Sequence, residues 1–355
     1  MRKILLLQTV LFSCFPIIAQ DNNGAEKLIN EGISLYDNGK LDEAIQKYDK
    51  ALSIDPENFT ASYEKSLTFL AQNRYEETIQ LCQSILKTHS GKVGLKDVYV
   101  NYGNALDGLK QSEKALAIYD QGSMLFPTYY GLYFNKAITL IGMKKYDDAI
   151  LSLQQSIKCN PNHIRSHTVL SRILLAFDQR IPSIFANSRA LILEPEGDRA
   201  KENFANLQKI MKGNAKMKDD GTVEINYSKD MLPDSTVNHA VKENDFSLTD
   251  VLLPMLAGLD FDSKYKNTSD VEKLSRKFKS FCESLKETQK ENYGFYWDYY
   301  APYFIEMNDK DLVLTFAYIT FASTGDDYVK GWLKTNKVLV DDFYRWSNSF
   351  KWFNK

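Results

Sequence analysis

The chain is poor in cysteine, proline and histidine, with four, nine and four of these among 355 residues. Cysteines so sparse are no disulfide framework. Cys82 lies on an apolar helical stripe and reads as a small core residue. Of His89, His163, His167 and His239, only His163 and His167 could place two imidazoles on one helix face. No carboxylate or cysteine at ligand spacing stands beside them, and Asn162-His163 falls on a turn after Pro161, so no metal site is expected. No glycine-rich phosphate loop follows a strand, and Gly-X-Ser-X-Gly is absent. The paired carboxylates Asp326-Asp327 and Asp341-Asp342 are chain neighbours whose side chains diverge along a helix, which suits solvated faces better than acid/base work. No catalytic residue, cofactor or metal ligand is expected.

Long apolar runs are also missing after the N-terminus. There, Arg2 and Lys3 precede the run Ile4–Phe12, and Pro16 and Ile17-Ile18-Ala19-Gln20 follow. That order reads as a signal peptide over residues 1–19, cut near Ala19 or Gln20. The run is short and interrupted for a membrane span. The expected location is secreted or periplasmic. The alternatives are a retained anchor, or lipid attachment at Cys14, where Leu11-Phe12-Ser13-Cys14 is similar to a lipobox except for the bulky Phe12. Cleavage removes two of 44 basic residues and none of 46 acidic ones, so the net charge moves from −2 to −4. That balance argues against nucleic acid as the main partner.

What the chain does have is a spacing. Small residues fall at Gly32, Ser66, Gly103, Ala137 and Ser171, at intervals of 34, 37, 34 and 34. Ala44, Thr78, Ala115, Ala149 and Ser183 keep the same intervals, as do Pro56, Ser90, Pro127, Pro161 and Pro195. Three series in step mark five copies of one supersecondary unit, and hence a solenoid. In the first copy, Leu28, Gly32 and Leu35 form one helix face, Asn38-Gly39 a turn, and Leu41, Ala44, Ile45, Tyr48, Ala51 and Leu52 a second face. Asp55-Pro56 stops the second helix. The small residues sit where paired helices would cross closely. The longer interval is absorbed by a loop at Ser90–Leu95.

This unit resembles the tetratricopeptide repeat (TPR), at Gly32, Gly39, Leu41, Ala44, Tyr48, Ala51 and Pro56 in the first copy. The third copy matches at Tyr99, Gly103, Ala115, Tyr119 and Pro127, and the fourth at Tyr133, Ala137, Tyr146, Ala149 and Pro161. The second is degenerate, with Thr78, Cys82 and Ser90 at key places. In the fifth, Pro182 and Ser183 disturb the start of the second helix. The resemblance, to an exported bacterial type, covers residues 25–197. It implies a concave face, lined by the first helix of each unit, that binds a protein or peptide segment. Carried onto this sequence, that face comprises Ile29, Ile33, Tyr36, Tyr63, Leu67, Leu70, Val100, Asn104, Phe134, Ile138, Arg165 and Arg172. The family's peptide-carboxylate clamp needs Lys and Asn where Ile29, Ile33 and Glu64 stand here, so that mode is not implied. Arg165 and Arg172 would suit an acidic segment.

Residues 198–212 read as a helix capping a solenoid that spans residues 20–212, and 213–246 as a linker or irregular subdomain with a short strand at Thr222–Tyr227. Helical patterning returns over 247–355. Thr249 and Ser269 are expected caps, Asp309 and Asp326 expected helix starts, and Trp297, Trp332, Trp346 and Trp352 all fall in this aromatic-rich part. Tyr296, Trp297, Tyr299, Tyr300 and Tyr303 could stack sugars, though helical spacing favours packing. The expected fold is all-α: a TPR-like α-solenoid of about five repeats followed by an α-helical C-terminal domain. The expected function is a non-catalytic scaffold in the cell envelope. The alternatives are glycan binding or hydrolysis by the C-terminal domain, with residues such as Glu306, Asp341 or Arg345 converging on a pocket, or a structural protein whose groove is filled by its own C-terminal half.

Overall fold

Five residues take up a left-handed backbone at the same intervals as the sequence repeat: Gly39, Asn73, Lys110, Lys144 and Asp178, with φ of 75°, 58°, 62°, 60° and 53°. Each turns a first helix back into a second, the short connection of an antiparallel helix pair. The computed structural model describes residues 22–213, 215–225, 243–265 and 267–352. The signal-peptide and lipid-attachment readings, and His239, lie outside them.

The described chain is all-α apart from one small hairpin. It divides into two compact units, Met1–Ile118 and Tyr119–Lys355. The first holds α1 (Asn22–Asp37), α2 (Leu41–Ile54), α3 (Phe59–Ala71), α4 (Tyr75–Thr88) and α5 (Leu95–Gly108). The boundary falls within α6 (Ser112–Leu125).

The small-residue series has a direct cause. A Cβ on Gly32 would stand 2.5 Å from the Tyr48 ring, so glycine lets α1 lie against α2. Ala44 and Tyr48 are fully buried beside it. Ala51 packs with Ala25, Ile29 and Ala61, which joins the first helix pair to α3. Asn58 caps α3 by accepting from the Ala61 amide at 3.0 Å. Cys82 is buried in the core, and burial pushes its thiol up to about 12.

The second unit continues with α7 (Tyr130–Gly142), α8 (Tyr146–Cys159), α9 (Ile164–Ala176), α10 (Arg180–Leu193) and α11 (Asp198–Lys212). An antiparallel hairpin follows, β1 (Ala215–Met217) with β2 (Val223–Ile225), Lys216 opposite Glu224. Then come α12 (Ser247–Gly258), α13 (Asp270–Thr288), a π-helical turn at Tyr296–Tyr300, α14 (Ala301–Asp309), α15 (Val313–Phe321), α16 (Asp327–Thr335) and α17 (Lys337–Ser349). Ser269 and Glu272 form a capping box on α13, and Asp326 caps α16 by accepting from the Tyr328 and Val329 amides. Asp309 closes α14 instead of opening a helix, and Thr249 lies inside α12, bonded to Ser284.

Pro182 does not disturb α10. It is the third residue of the helix, where the missing N–H is one that helical bonding leaves unused. Every residue from Ile181 to Ile192 is buried. The Phe185 ring meets Phe246, Phe281, Tyr300 and Phe304 at centroid distances of 5.4–5.8 Å. The C-terminal helices therefore share their core with the last repeat. Phe204 of α11 also packs on Phe321, at 4.6 Å.

Candidate functional site

The expected groove residues fall on the first helices α1, α3, α5, α7 and α9. In the first unit, Ile33, Tyr36, Tyr63, Leu67, Leu70, Val100 and Asn104 are half-buried. Ile29 is only 5% exposed, because it is taken up in the cluster with Ala25 and Ala61. Carboxylates accompany the tyrosines. Glu64 is held above the usual carboxylate range by burial and then by Asp37. Burial also raises the Tyr63 phenol, with Asp97 and Glu64 adding to the effect. This face is apolar, aromatic and acidic, and an acidic group stands where a carboxylate clamp would carry a cation.

In the second unit, Phe134 is 4% exposed beneath Arg165, whose guanidinium stands 4.8 Å from the ring centre. The His163 imidazole packs edge-on against Phe134 and donates to, or accepts from, Ser166 Oγ at 2.7 Å. Ile138 is 39% exposed, and Arg165 and Arg172 are exposed. Arg172 is not a free cation. Its Nε donates to Glu202 Oε1 at 2.6 Å and its Nη2 to Oε2, and the pair holds the Glu202 carboxyl below its ordinary value. Among the described residues, α12–α17 make no hydrogen bond, ion pair or ring contact with Ile138, Arg165 or Arg172. They and the π-helical turn pack on α10, on α11, on the end of α8 and on the start of α9.

That contact is polar as well as aromatic. Tyr300 Oη lies 2.6 Å from Nδ1 of His167, and Tyr299 donates to the Ile157 carbonyl at 3.0 Å. Arg189, 1% exposed, donates to Asn162 Oδ1 at 2.7 Å, Ser347 Oγ at 2.9 Å and Tyr303 Oη at 3.3 Å. Its guanidinium also faces the Tyr303 and Trp352 rings. Sequence reading missed Arg189 and Glu202, since their partners lie far away along the chain.

The aromatic candidates for sugar stacking, Tyr296, Trp297, Tyr299, Tyr300 and Tyr303, are all at most 2% exposed and present no open ring face. Glu306 accepts from Trp346 Nε1, Asp341 pairs with Lys337, and Arg345 pairs with Asp342. These three do not converge. His163 and His167 hold protein partners, and among the described residues no group of three or more metal-ligating side chains comes together. Nor is any described helix long and apolar enough to cross a membrane.

Family models match at three places: a TPR repeat over residues 32–73 and tetratricopeptide repeats over 96–129 and 130–163. The chain is similar to human anaphase-promoting complex subunit 7, 23% identical over 192 residues, 54% of this chain and 34% of that protein. It is also similar to the small glutamine-rich tetratricopeptide repeat-containing protein of Dictyostelium discoideum, 22% identical over 165 residues, 44% of this chain and 49% of that one. The chain thus spans about a third to a half of the length of these relatives. Among solved structures, a thermophilic TPR protein of Thermus thermophilus aligns with a TM-score of 0.45 and 17% identity, over 52% of this chain and 99% of that one. The matched segments and the helix pairs they fold into show that this chain carries tetratricopeptide repeats.

Proposed function

We propose that this chain is a non-catalytic protein-binding scaffold that holds a partner segment on the first helices of its repeats, in the cell envelope or outside the cell. One observation carries the reading: the C-terminal helices bury α10 and leave Ile138, Arg165 and Arg172 uncovered. Preformed helices need little ordering on binding, which favours affinity. The first unit offers half-buried Tyr36, Tyr63, Leu67 and Leu70, side chains that supply apolar contact area. One relative is named as a subunit of a complex, in keeping with a module that works by assembly. Export rests on the order of charge, apolar run and small residues in the first nineteen positions. The repeats and their capping helix form residues 20–212, and 247–355 the helical C-terminal part.

A photo-crosslinking residue at position 138, in the full mature chain, tests the reading. It should trap a protein partner from envelope or secreted fractions, and Arg165→Glu should reduce the yield. Trapping only the chain's own C-terminal residues, or none at all, would overturn it.

A further inference from the structure

We propose that a cleft on the second-helix side of the last repeats is a second protein-binding surface, shaped for an extended partner segment that carries lysine or arginine beside an apolar side chain. The cleft has a volume of about 610 Å³ and lies within the second unit. It runs between α8, the turn before α10 and residues 243–250, away from the face proposed above.

Charge argues for the occupant. Among the described residues, five carboxylates line the cleft: Asp147, Asp178, Glu243, Asp245 and Asp250. The single cation among these described lining residues is Arg180, whose Nε stands 3.6 Å from both Asp178 and Asp250. Asp245 accepts from the Ser247 amide, which orders the rim without neutralising it.

The interior argues independently. Tyr296 is 2% exposed and lines the cleft, yet its hydroxyl completes no hydrogen bond among the described residues. The Gln154 side chain is the polar neighbour of this hydroxyl and favours its ionised form against the larger, opposing effect of burial. Asp250 Oδ1 is likewise buried and completes no hydrogen bond among the described residues, having only the Arg180 ion pair at 3.6 Å, and burial lifts this carboxyl to about 6. A lysine ammonium carries three donors and no acceptor. Entering here, it would bring donors to the Tyr296 oxygen and a counter-charge to the carboxylates around it. Leu151, 62% exposed, with Ile150 and Pro182, forms an apolar wall beside the charges. The π-helical turn at 296–300 sets Tyr296 toward the cleft while Tyr300 is turned to His167.

The probe is a labelled flexible peptide of lysines around one leucine, with its glutamate-for-lysine twin, measured by fluorescence anisotropy on the full chain. The test variant combines Asp147→Lys, Asp178→Lys and Glu243→Lys. All three sites are exposed, and Lys110 and Lys144 already occupy the turn position equivalent to 178. The lysine peptide should bind, and the variant should weaken it by about ten-fold or more. Asp327→Lys with Asp341→Lys, on exposed sites elsewhere, should change it by less than about two-fold. Tyr296→Phe, which keeps the ring, should weaken it by about three-fold. Equal binding of the two peptides, no binding, or an unaltered triple variant would overturn the proposal. So would binding that emerges only when residues 226–242 are deleted, which would make the chain's own segment the occupant. Self-association abolished by the triple variant and indifferent to the peptide would overturn it too, in favour of a second copy.

Discussion

Tyr300 Oη and His167 Nδ1, 133 residues apart in sequence, meet at 2.6 Å in the buried contact between α9 and the C-terminal helices. The other ring nitrogen, Nε2, lies 2.9 Å from the Pro161 carbonyl, which can only accept. Nε2 therefore carries the proton, and Nδ1 accepts from Tyr300. Burial, and then Arg189, push His167 down to about 3, and burial takes His163 down to about 4. Both rings stay neutral in the fold while the unfolded chain protonates them near 6.5. Stability is therefore lost as pH falls below about 6.5 toward the folded values, by up to about 1.4 kcal/mol per pH unit for each ring. Asp250, raised to about 6, has the opposite sign below that pH and offsets part of the loss. His167→Gln isolates the histidine. Chemical unfolding at pH 7 and pH 4.5 should show a wild-type loss larger than the variant's by about 2 kcal/mol, and equal losses would exclude this role.

Arg189 holds the same contact together. It is a buried cation with three neutral acceptors from Asn162, Tyr303 and Ser347, and with aromatic faces on the rest of its surface. A lysine ammonium is a point charge and cannot reach that spread of acceptors. Arg189→Lys should cost about 2–4 kcal/mol in urea unfolding, from lost charge-assisted bonds and unsatisfied acceptors. A loss below about 0.5 kcal/mol would show that the guanidinium geometry is not needed.

How far the sequence reached depends on the range of the cause. Gly32, Ala44 and their equivalents were legible because a close helix crossing demands a small side chain at every repeat. Ser269 and Asp326 were legible because a cap acts within three residues. Lys110 and Lys144 were not, since nothing in a lysine marks a left-handed turn; only their intervals do. The polar residues of α10, with Ser183, Asn187, Ser188 and Arg189, look like a solvated face. They are buried because their neighbours include Tyr303 and Ser347, more than a hundred residues on. The groove was legible as a helix face, but which members remain open was not. Ile29 and Phe134 are consumed by packing that involves other helices.

The left-handed turns give a paired prediction. Gly39 adopts φ of 75°, and a Cβ added there would meet no described atom within 4 Å beyond its chain neighbours, so Gly39→Ala adds backbone strain and no clash. It should lower stability by about 1 kcal/mol. Lys144 already bears that strain at φ of 60°. Lys144→Gly should relieve it and lose part of the gain to unfolded-state entropy, for a net stabilisation of about 0.5 kcal/mol. Thermal melts of the two variants should shift in opposite directions, and shifts of the same sign would refute the strain argument.

Arg172 and Glu202 decide whether the second-unit face can read charge. The bidentate pair is substantially exposed, 51% and 42% for the two side chains, so its removal should cost little stability, within about 1 kcal/mol. Its effect on recognition should be larger. While Glu202 occupies the guanidinium fork, an acidic partner segment must displace a carboxylate already in place. Glu202→Gln removes the competing charge and leaves Arg172 and Arg165 as two uncompensated cations on α9. A labelled acidic peptide should then bind about three- to ten-fold more tightly than to wild type, and Glu202→Gln combined with Arg172→Gln should abolish the gain. Unchanged affinity in the single variant would mean that this face does not select acidic segments, and would leave Ile138 and its apolar neighbours as the contact that matters.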